Sequence, residues 1–447
     1  MVYILYKDTK RKSKYFAESK NAKIYKKFTS FIENYNYICY NNYICVQRSK
    51  NETTSDLAGG YRHCKNTKQV TTMIYLDSSA TTPVCTEAAQ AVARALTENF
   101  GNPSSRHFLG VKAKNGLDAD RAVIAAKLGC EKEEVLFTSG GTEANNLAVF
   151  GAVEAAKKYR NKKRIVVSAT EHASVFESAQ KLENAGYEVV WLQPDRHGNI
   201  TPAQLAEAIN EDTILVSMML VNNELGTILP ARAVKEIIKA NHAPALFHCD
   251  CVQAFCKLPF TVKSIGADLV SVSAHKVFGP KGVGALYVRK GVRILPQHIG
   301  GEQERKLRPG TQATALIAGF AAAVNAFDTK AYAAEVQNIR NYAKKALADI
   351  EGIVFNSDDK ASAYVLNFSL VGFRSEIILN YLSERKICVS AGSACAGGKP
   401  SHVLQAISSD AAVCDSAIRV SFTHHNTVEE IDTLVKALQN AVKTLAH

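Results

Sequence analysis

The sequence predicts an α/β protein with a mainly parallel sheet covered by helices, followed by a smaller α/β domain. Three observations carry this expectation. From Thr81 to Val324 short apolar runs alternate with helical stretches. The runs EVLFTS, RIVVSA, EVVWLQ, TILVSMM, PALFHCD, LVSVSA and GALYV all have strand length. After Thr329 the pattern changes to a long helix, AYAAEVQNIRNYAKKALADI, then the strand AYVLNFSL and two further helix and strand units. Strands separated by helices pair in parallel, because each crossover helix covers a face of the sheet, and loops at their carboxyl ends build the functional site.

Taken in order, EVLFTS runs into Ser139-Gly140-Gly141-Thr142, a turn that opens a helix, and RIVVSA stops shortly before His172. PALFHCD ends on Asp250; its cysteines, Cys249 and Cys251, and nearby Cys256 read as buried thiols rather than metal ligands. LVSVSA leads into His275 and Lys276, then a turn with Gly279, Gly282 and Gly284, before GALYV resumes. Thr427 to Glu430 has the capping-box pattern of a helix start, and the His424-His425 pair before it reads as solvated loop. No metal site is expected.

A chain of 447 residues that is 47% hydrophobic can bury a large core and fills more than one domain. The expected division is a basic leader over 1–72, a large domain over 84–328, and a small domain formed by 73–83 with 329–447. The net charge of +12 would suggest nucleic-acid or membrane binding if it were evenly spread. It is not: residues 1–72 hold 14 Lys and Arg against 5 Asp and Glu, leaving the rest nearly balanced. Neither membrane nor direct nucleic-acid binding is expected. The leader holds 9 of the 17 tyrosines, lacks a core pattern, and has no apolar run of the ~20 residues that a membrane helix needs. Met73 precedes IYLDSSATTP, so residues 1–72 read as a disordered extension or translated upstream sequence, with a mitochondrial transit peptide as the alternative. Eleven irregularly spaced cysteines point to a reducing, cytoplasmic compartment.

The segment SVSAHKVFGPKGVGALYV carries the chemistry. Its lysine stands at a strand end, beside Ser273 and His275 that can bind an anion, among glycines that let backbone approach a ligand. That suits a lysine joined covalently to an aldehyde cofactor; a surface lysine in a turn is the plain alternative.

Nine stretches in order settle the choice at the level of resemblance: YLDSSATTP, GNPSSRH, FTSGGTEANN, ATEHASV, VNNELGT, HCDCVQ, GGEQERKLRPGTQ, AGSACAGGKPSH and IRVSF. Over 73–447 the chain resembles the cysteine desulfurase family, fold-type I pyridoxal 5'-phosphate (PLP) enzymes of the class V aminotransferase superfamily. The resemblance implies that Lys276 forms the Schiff base with PLP and then acts as the Cα base. It implies that Gly141, Thr142, Ser273 and His275 bind the phosphate, that Asp250 holds the pyridine nitrogen, and that Gln253 and Asn223 contact the phenolic oxygen. His172 stacks on the ring and handles a substrate proton; Asn223 and Arg419 bind the substrate L-cysteine, Arg419 through its α-carboxylate unless it makes only a domain-interface salt bridge. Thr311 reaches the phosphate of a neighbouring subunit, which implies a homodimer. Cys395 is the nucleophile that takes sulfur as a persulfide, leaving L-alanine. The stretch AGGKPSHV after Cys395 is shorter than in the family members that serve many acceptors, which leaves the sulfur acceptor open: an iron–sulfur scaffold or a tRNA-thiolation enzyme. A selenocysteine lyase, a PLP aminotransferase with an incidental Cys395, and a silent scaffold binding an iron–sulfur assembly partner are the alternatives.

Overall fold

The structure, a computed structural model, describes residues 35–40, 43–48, 73–159, 162–391, 401–408 and 410–445. The chain divides into two units, Met1–Val70 and Thr71–His447. In the first, β1 (Tyr35–Tyr40) pairs antiparallel with β2 (Tyr43–Arg48), Tyr40 opposite Tyr43. A lone two-stranded hairpin is marginal in water. Most of the leader read from the sequence lies outside the described residues. Removing residues 1–72 is expected to leave the remaining chain folded, with an unchanged circular dichroism spectrum and a melting temperature within a few degrees; a collapse of the thermal transition would show that the leader supports the fold.

In the second unit, β3 (Ile74–Tyr75) is followed by a seven-stranded sheet whose members lie on the seven apolar runs: β4 (Val135–Thr138), β5 (Arg164–Ser168), β6 (Glu188–Leu192), β7 (Thr213–Ser217), β8 (Leu246–Asp250), β9 (Leu269–Ser273) and β10 (Gly284–Val288). Their order across the sheet is β4-β10-β9-β8-β7-β5-β6. The run β9-β8-β7-β5-β6 is parallel, whereas β10 is antiparallel to both neighbours. The reversal has a simple cause. A parallel crossover needs a dozen or more residues, and the turn from Ser273 to Gly284 is too short. Every residue of β7 and β9 is buried, as expected of strands covered on both faces. The helix Gly141–Tyr159 lies across β7, β8, β9 and β10 on one face.

The C-terminal part builds a second sheet from β11 (Ile353–Phe355), β12 (Val365–Leu370), β14 (Ser390–Ala391) and β15 (Ala417–Ser421), ordered β11-β12-β15-β14 and antiparallel throughout; β13 (Ile387–Cys388) pairs in parallel with β3. The helices Thr329–Leu347 and Val428–Leu445 pack together on this sheet's own hydrophobic core. Thr427 and Glu430 exchange the two bonds of a capping box at 3.2 and 3.3 Å. One expectation is corrected here. His424 is not solvated loop: its ring stacks on Tyr332 at 3.5 Å and meets Phe278 edge-on, and burial pushes its pKa down to about 4.

Candidate active site

The carboxyl ends of β4, β5, β7, β8 and β9 open on the same sheet edge, and each delivers a polar residue there. Lys276 follows β9 in a short 3-10 turn, Ala274–Lys276. Its Nζ donates to the carbonyls of Ser79 (2.6 Å) and Ala80 (2.7 Å). These belong to the segment after β3, which grips the lysine turn at several points. The Thr82 N–H donates to His275 O at 2.9 Å, and Thr82 Oγ1 accepts the Phe278 N–H at 2.7 Å. That bond holds Phe278 at φ 63°, a left-handed conformation that a bulky residue adopts only when its surroundings compel it. His275 Nδ1 is 3.3 Å from Thr81 Oγ1; burial first, then the Lys276 charge, drive its pKa down to about 4.

Asp250 closes β8, next to β9, and is 5% exposed. Its Oδ1 accepts the Val252 N–H at 2.9 Å and its Oδ2 accepts Asn145 Nδ2 at 2.7 Å. The same Asn145 nitrogen donates to Ser174 Oγ (2.8 Å), which lies 2.8 Å from His172 Nδ1. The proton direction follows. Ser174 Oγ spends a lone pair on Asn145 and gives its hydrogen to His172, and the Ser174 N–H also donates to Nδ1 at 3.2 Å. His172 Nδ1 is therefore an acceptor, and the proton of the neutral ring sits on Nε2. Burial, the largest influence, lowers the His172 pKa and keeps the ring neutral at pH 7.

The turn Ser139-Gly140-Gly141-Thr142 leads into the helix Gly141–Tyr159, whose free N–H groups suit an anion. A phosphate fits the space it leaves. Ser273 Oγ is buried there with no hydrogen-bond partner among the described residues, and Asn223 Oδ1, beyond β7, is a second such atom. The surroundings come too close for side chains: a Cβ on Gly284 would stand 2.6 Å from the Val272 backbone O and 2.8 Å from Gly140 Cα, and one on Gly141 2.9 Å from the Val252 side chain at Cγ2. Gln253, 5% exposed, sends Nε2 to Ser79 O at 3.0 Å, sharing that carbonyl with Lys276.

Outside this turn lies an open cavity of about 1020 Å³ lined by Ser139, Thr142, Thr311 and the loop 297–311. It borders Thr142 but not Lys276, Asp250 or His172, so only the outer side of the turn faces it. The loop is fixed by Glu304, whose carboxylate takes both Arg121 nitrogens (2.6 and 2.8 Å) and the Phe137 N–H of β4 (2.9 Å). These bonds hold three successive left-handed residues, Glu304, Arg305 and Lys306.

Arg419, on β15, is 3% exposed. It donates from Nη2 to Asp77 Oδ1 at 2.9 Å and from Nη1 to Asn223 O at 3.1 Å, while its Nε has no partner among the described residues. Asp77 and Arg419 both belong to the segments read from the sequence as the small domain, so this ion pair is not the domain-interface salt bridge left as an alternative; only the bond to Asn223 O reaches the 84–328 span. Cys395 lies outside the described residues; on either side, Ser390 Oγ donates to Asp77 Oδ1 at 2.8 Å and Ser401 Oγ to the buried Glu224 at 2.6 Å. Burial pushes the Glu224 pKa up to about 7. Sequence reading missed Asn145, Ser174, Asp77 and the Ser79 and Ala80 carbonyls. Only Asn145 left a signal: one turn after Gly141 and Thr142, it sits on the helix face that points at the sheet edge.

The class-V aminotransferase model matches residues 74–434. A cysteine desulfurase IscS of Methanosarcina thermophila is 38% identical, over 84% of this chain and 93% of its own. Among solved structures, a NifS-like protein superposes with a TM-score of 0.78 at 34% identity, over 83% of this chain and 100% of its own. One described as SspA in complex with cysteine superposes with a TM-score of 0.70 at 34% identity, over 79% of this chain and 100% of its own. With strand order, glycine cradle and lysine turn in place, the chain belongs to the class-V aminotransferase family, in its cysteine desulfurase branch.

Proposed function

We propose that this chain is a PLP-dependent cysteine desulfurase that converts L-cysteine to L-alanine and carries the sulfur as a persulfide on Cys395. One observation carries the reading: Lys276, in the turn after β9, and Asp250, the last residue of the adjacent parallel strand β8, stand at the edge where Ser273 Oγ lacks a partner among the described residues. Relatives named cysteine desulfurase support it.

PLP, when bound, supplies an electron sink for negative charge developing at the substrate Cα. The chain's residues do the rest. Lys276 supplies the amine that holds the cofactor covalently and later takes the Cα proton. Gly141, Thr142, Ser273 and His275 bind the phosphate, with Thr311 doing so for a neighbouring subunit. Asp250, its carboxylate fixed by Asn145 and Val252, pairs with the pyridine nitrogen. His172 lies against the ring with its proton on Nε2, and Asn223 and Gln253 meet the phenolic oxygen. Arg419, oriented by Asp77, keeps Nε for the substrate carboxylate, and Asn223 completes the substrate contacts. The Cys395 thiolate attacks the substrate sulfur. An S–S bond forms as the Cβ–S bond breaks, and the electron pair stays with Cβ, which is protonated on the way to alanine.

A homodimer fits the exposed apolar side chains Leu96, Phe100, Phe108 and Ile299. The seven cysteines whose side chains are described are free thiols, which supports a reducing, cytoplasmic setting. No described helix is long and apolar enough to cross a membrane. The sulfur goes to an iron–sulfur scaffold or a tRNA-thiolation enzyme.

Mass spectrometry after incubation with cysteine tests the reading: one added sulfur on Cys395 and stoichiometric alanine are expected, and alanine without the adduct would overturn it. Asn145→Ala is expected to weaken PLP binding about tenfold, because Asp250 Oδ2 and Ser174 Oγ each lose a buried donor. Titration of the apoprotein with PLP, followed by absorbance, reads this directly.

A further inference from the structure

Lys257 has no part in the chemistry above, yet its burial demands a reason. It sits in the turn after β8 and is 3% exposed. Among the described residues, the groups whose charge bears on it are Lys276, Cys256 and Arg419, none of them a carboxylate. Its Nζ lies 3.1 Å from Gln253 Oε1, the one hydrogen-bond acceptor that it reaches among the described residues, and 5.5 Å from the Tyr364 ring centroid. A buried ammonium without a counter-charge is costly, and an apolar side chain of the same length would fill the space more cheaply. Burial first, then the nearby Lys276 charge, bring the Lys257 pKa down to about 7, but a neutral amine still has N–H bonds to give. The donor role therefore survives loss of the charge.

We propose that Lys257 is a positioning residue that fixes which end of the Gln253 carboxamide faces the cofactor. The two ends of a carboxamide are nearly isosteric, so shape alone does not choose between them. Lys257 in its ammonium form does choose, because it has three N–H donors and no lone pair and so pairs only with the oxygen end. The Gln253 NH2 is then turned the other way and has two hydrogens. One goes to Ser79 O at 3.0 Å, a carbonyl that also takes Lys276 Nζ at 2.6 Å, and the second is left for the phenolic oxygen of PLP. Lys257 thereby acts on the ring electronics through Gln253, without touching the ring. This rests on the reading of Gln253 as a neighbour of that oxygen.

The test uses PLP titration of the full-length apoprotein and the position of the visible absorption band of the bound cofactor. Lys257→Met is expected to raise the PLP dissociation constant about tenfold and to move the band, while Lys257→Arg, which keeps a donor, restores both. Gln253→Ala should give the same band shift, and adding Lys257→Met to it should shift nothing further, because the two act as a unit. A band that stays put in Lys257→Met but moves in Gln253→Ala would overturn the role of Lys257. A band unmoved in Gln253→Ala would instead overturn the reading of Gln253. If Lys257→Met shifts the band as much in the Gln253→Ala background as in the wild type, Lys257 acts only through packing and the proposal fails.

Discussion

Lys276→Ala is expected to end covalent capture of PLP and to lower turnover by at least ~10³-fold, the range set by losing both an attached amine and a proton acceptor. No other described amine can take over. The other buried lysine at this edge, Lys257, is bound to Gln253 Oε1. The Ser79 and Ala80 carbonyls, which accept from Lys276 Nζ, would face an alanine methyl instead, so some loss of stability accompanies the loss of chemistry. Dialysis followed by the visible spectrum and an alanine assay reads both effects. A variant that kept its band and its turnover would place the reactive amine elsewhere.

Cys395→Ser is expected to separate cofactor chemistry from sulfur chemistry. PLP binding and its response to added cysteine should persist, since the nucleophile acts after both. Sulfide release should fall by on the order of 10³-fold, because a hydroxyl ionises far above the ~8.5 of a thiol and cannot hold a persulfide. Measuring the cysteine-induced spectral change and sulfide production on one sample gives the contrast. Sulfide at close to the wild-type rate would make Cys395 incidental and favour a general PLP lyase or aminotransferase.

The central strands of the large sheet were legible because a strand buried on both faces must be a short unbroken apolar run, as β7 and β9 are, and each such run stops where the chain turns. Lys276, Asp250 and His172 stood out for the same reason, each placed where an apolar run gives way to polar residues. The reversed direction of β10 was not legible from apolar pattern; only the shortness of the turn after Ser273 encodes it. Side chains that act on one another across the fold were hidden as well. Asn145 meets Asp250 across 105 residues, and the carbonyl that receives Lys276 comes from 197 residues earlier. A backbone carbonyl has no sequence signature, so Ser79 and Ala80 offered nothing to read. His424 misled because a polar pair before a helix start looks solvated until Tyr332 and Phe278 are seen beside it.

The segment after β3 gives the molecule a particular order of birth. Ile74 and Leu76 are among the first of these residues to leave the ribosome, yet their N–H groups bond to Lys386 and Cys388, and Ser79 is held by Ser421 across 342 residues. During synthesis the large sheet can close once β10 has emerged, but the strip that carries the Ser79 and Ala80 carbonyls has no strand partner until the last part of the chain appears. A nascent chain stalled before β13 would hold a finished sheet while the 74–79 strip still lacked the partners that fix it. The Lys276 amine thus gains the whole of its setting only when the last strands have emerged.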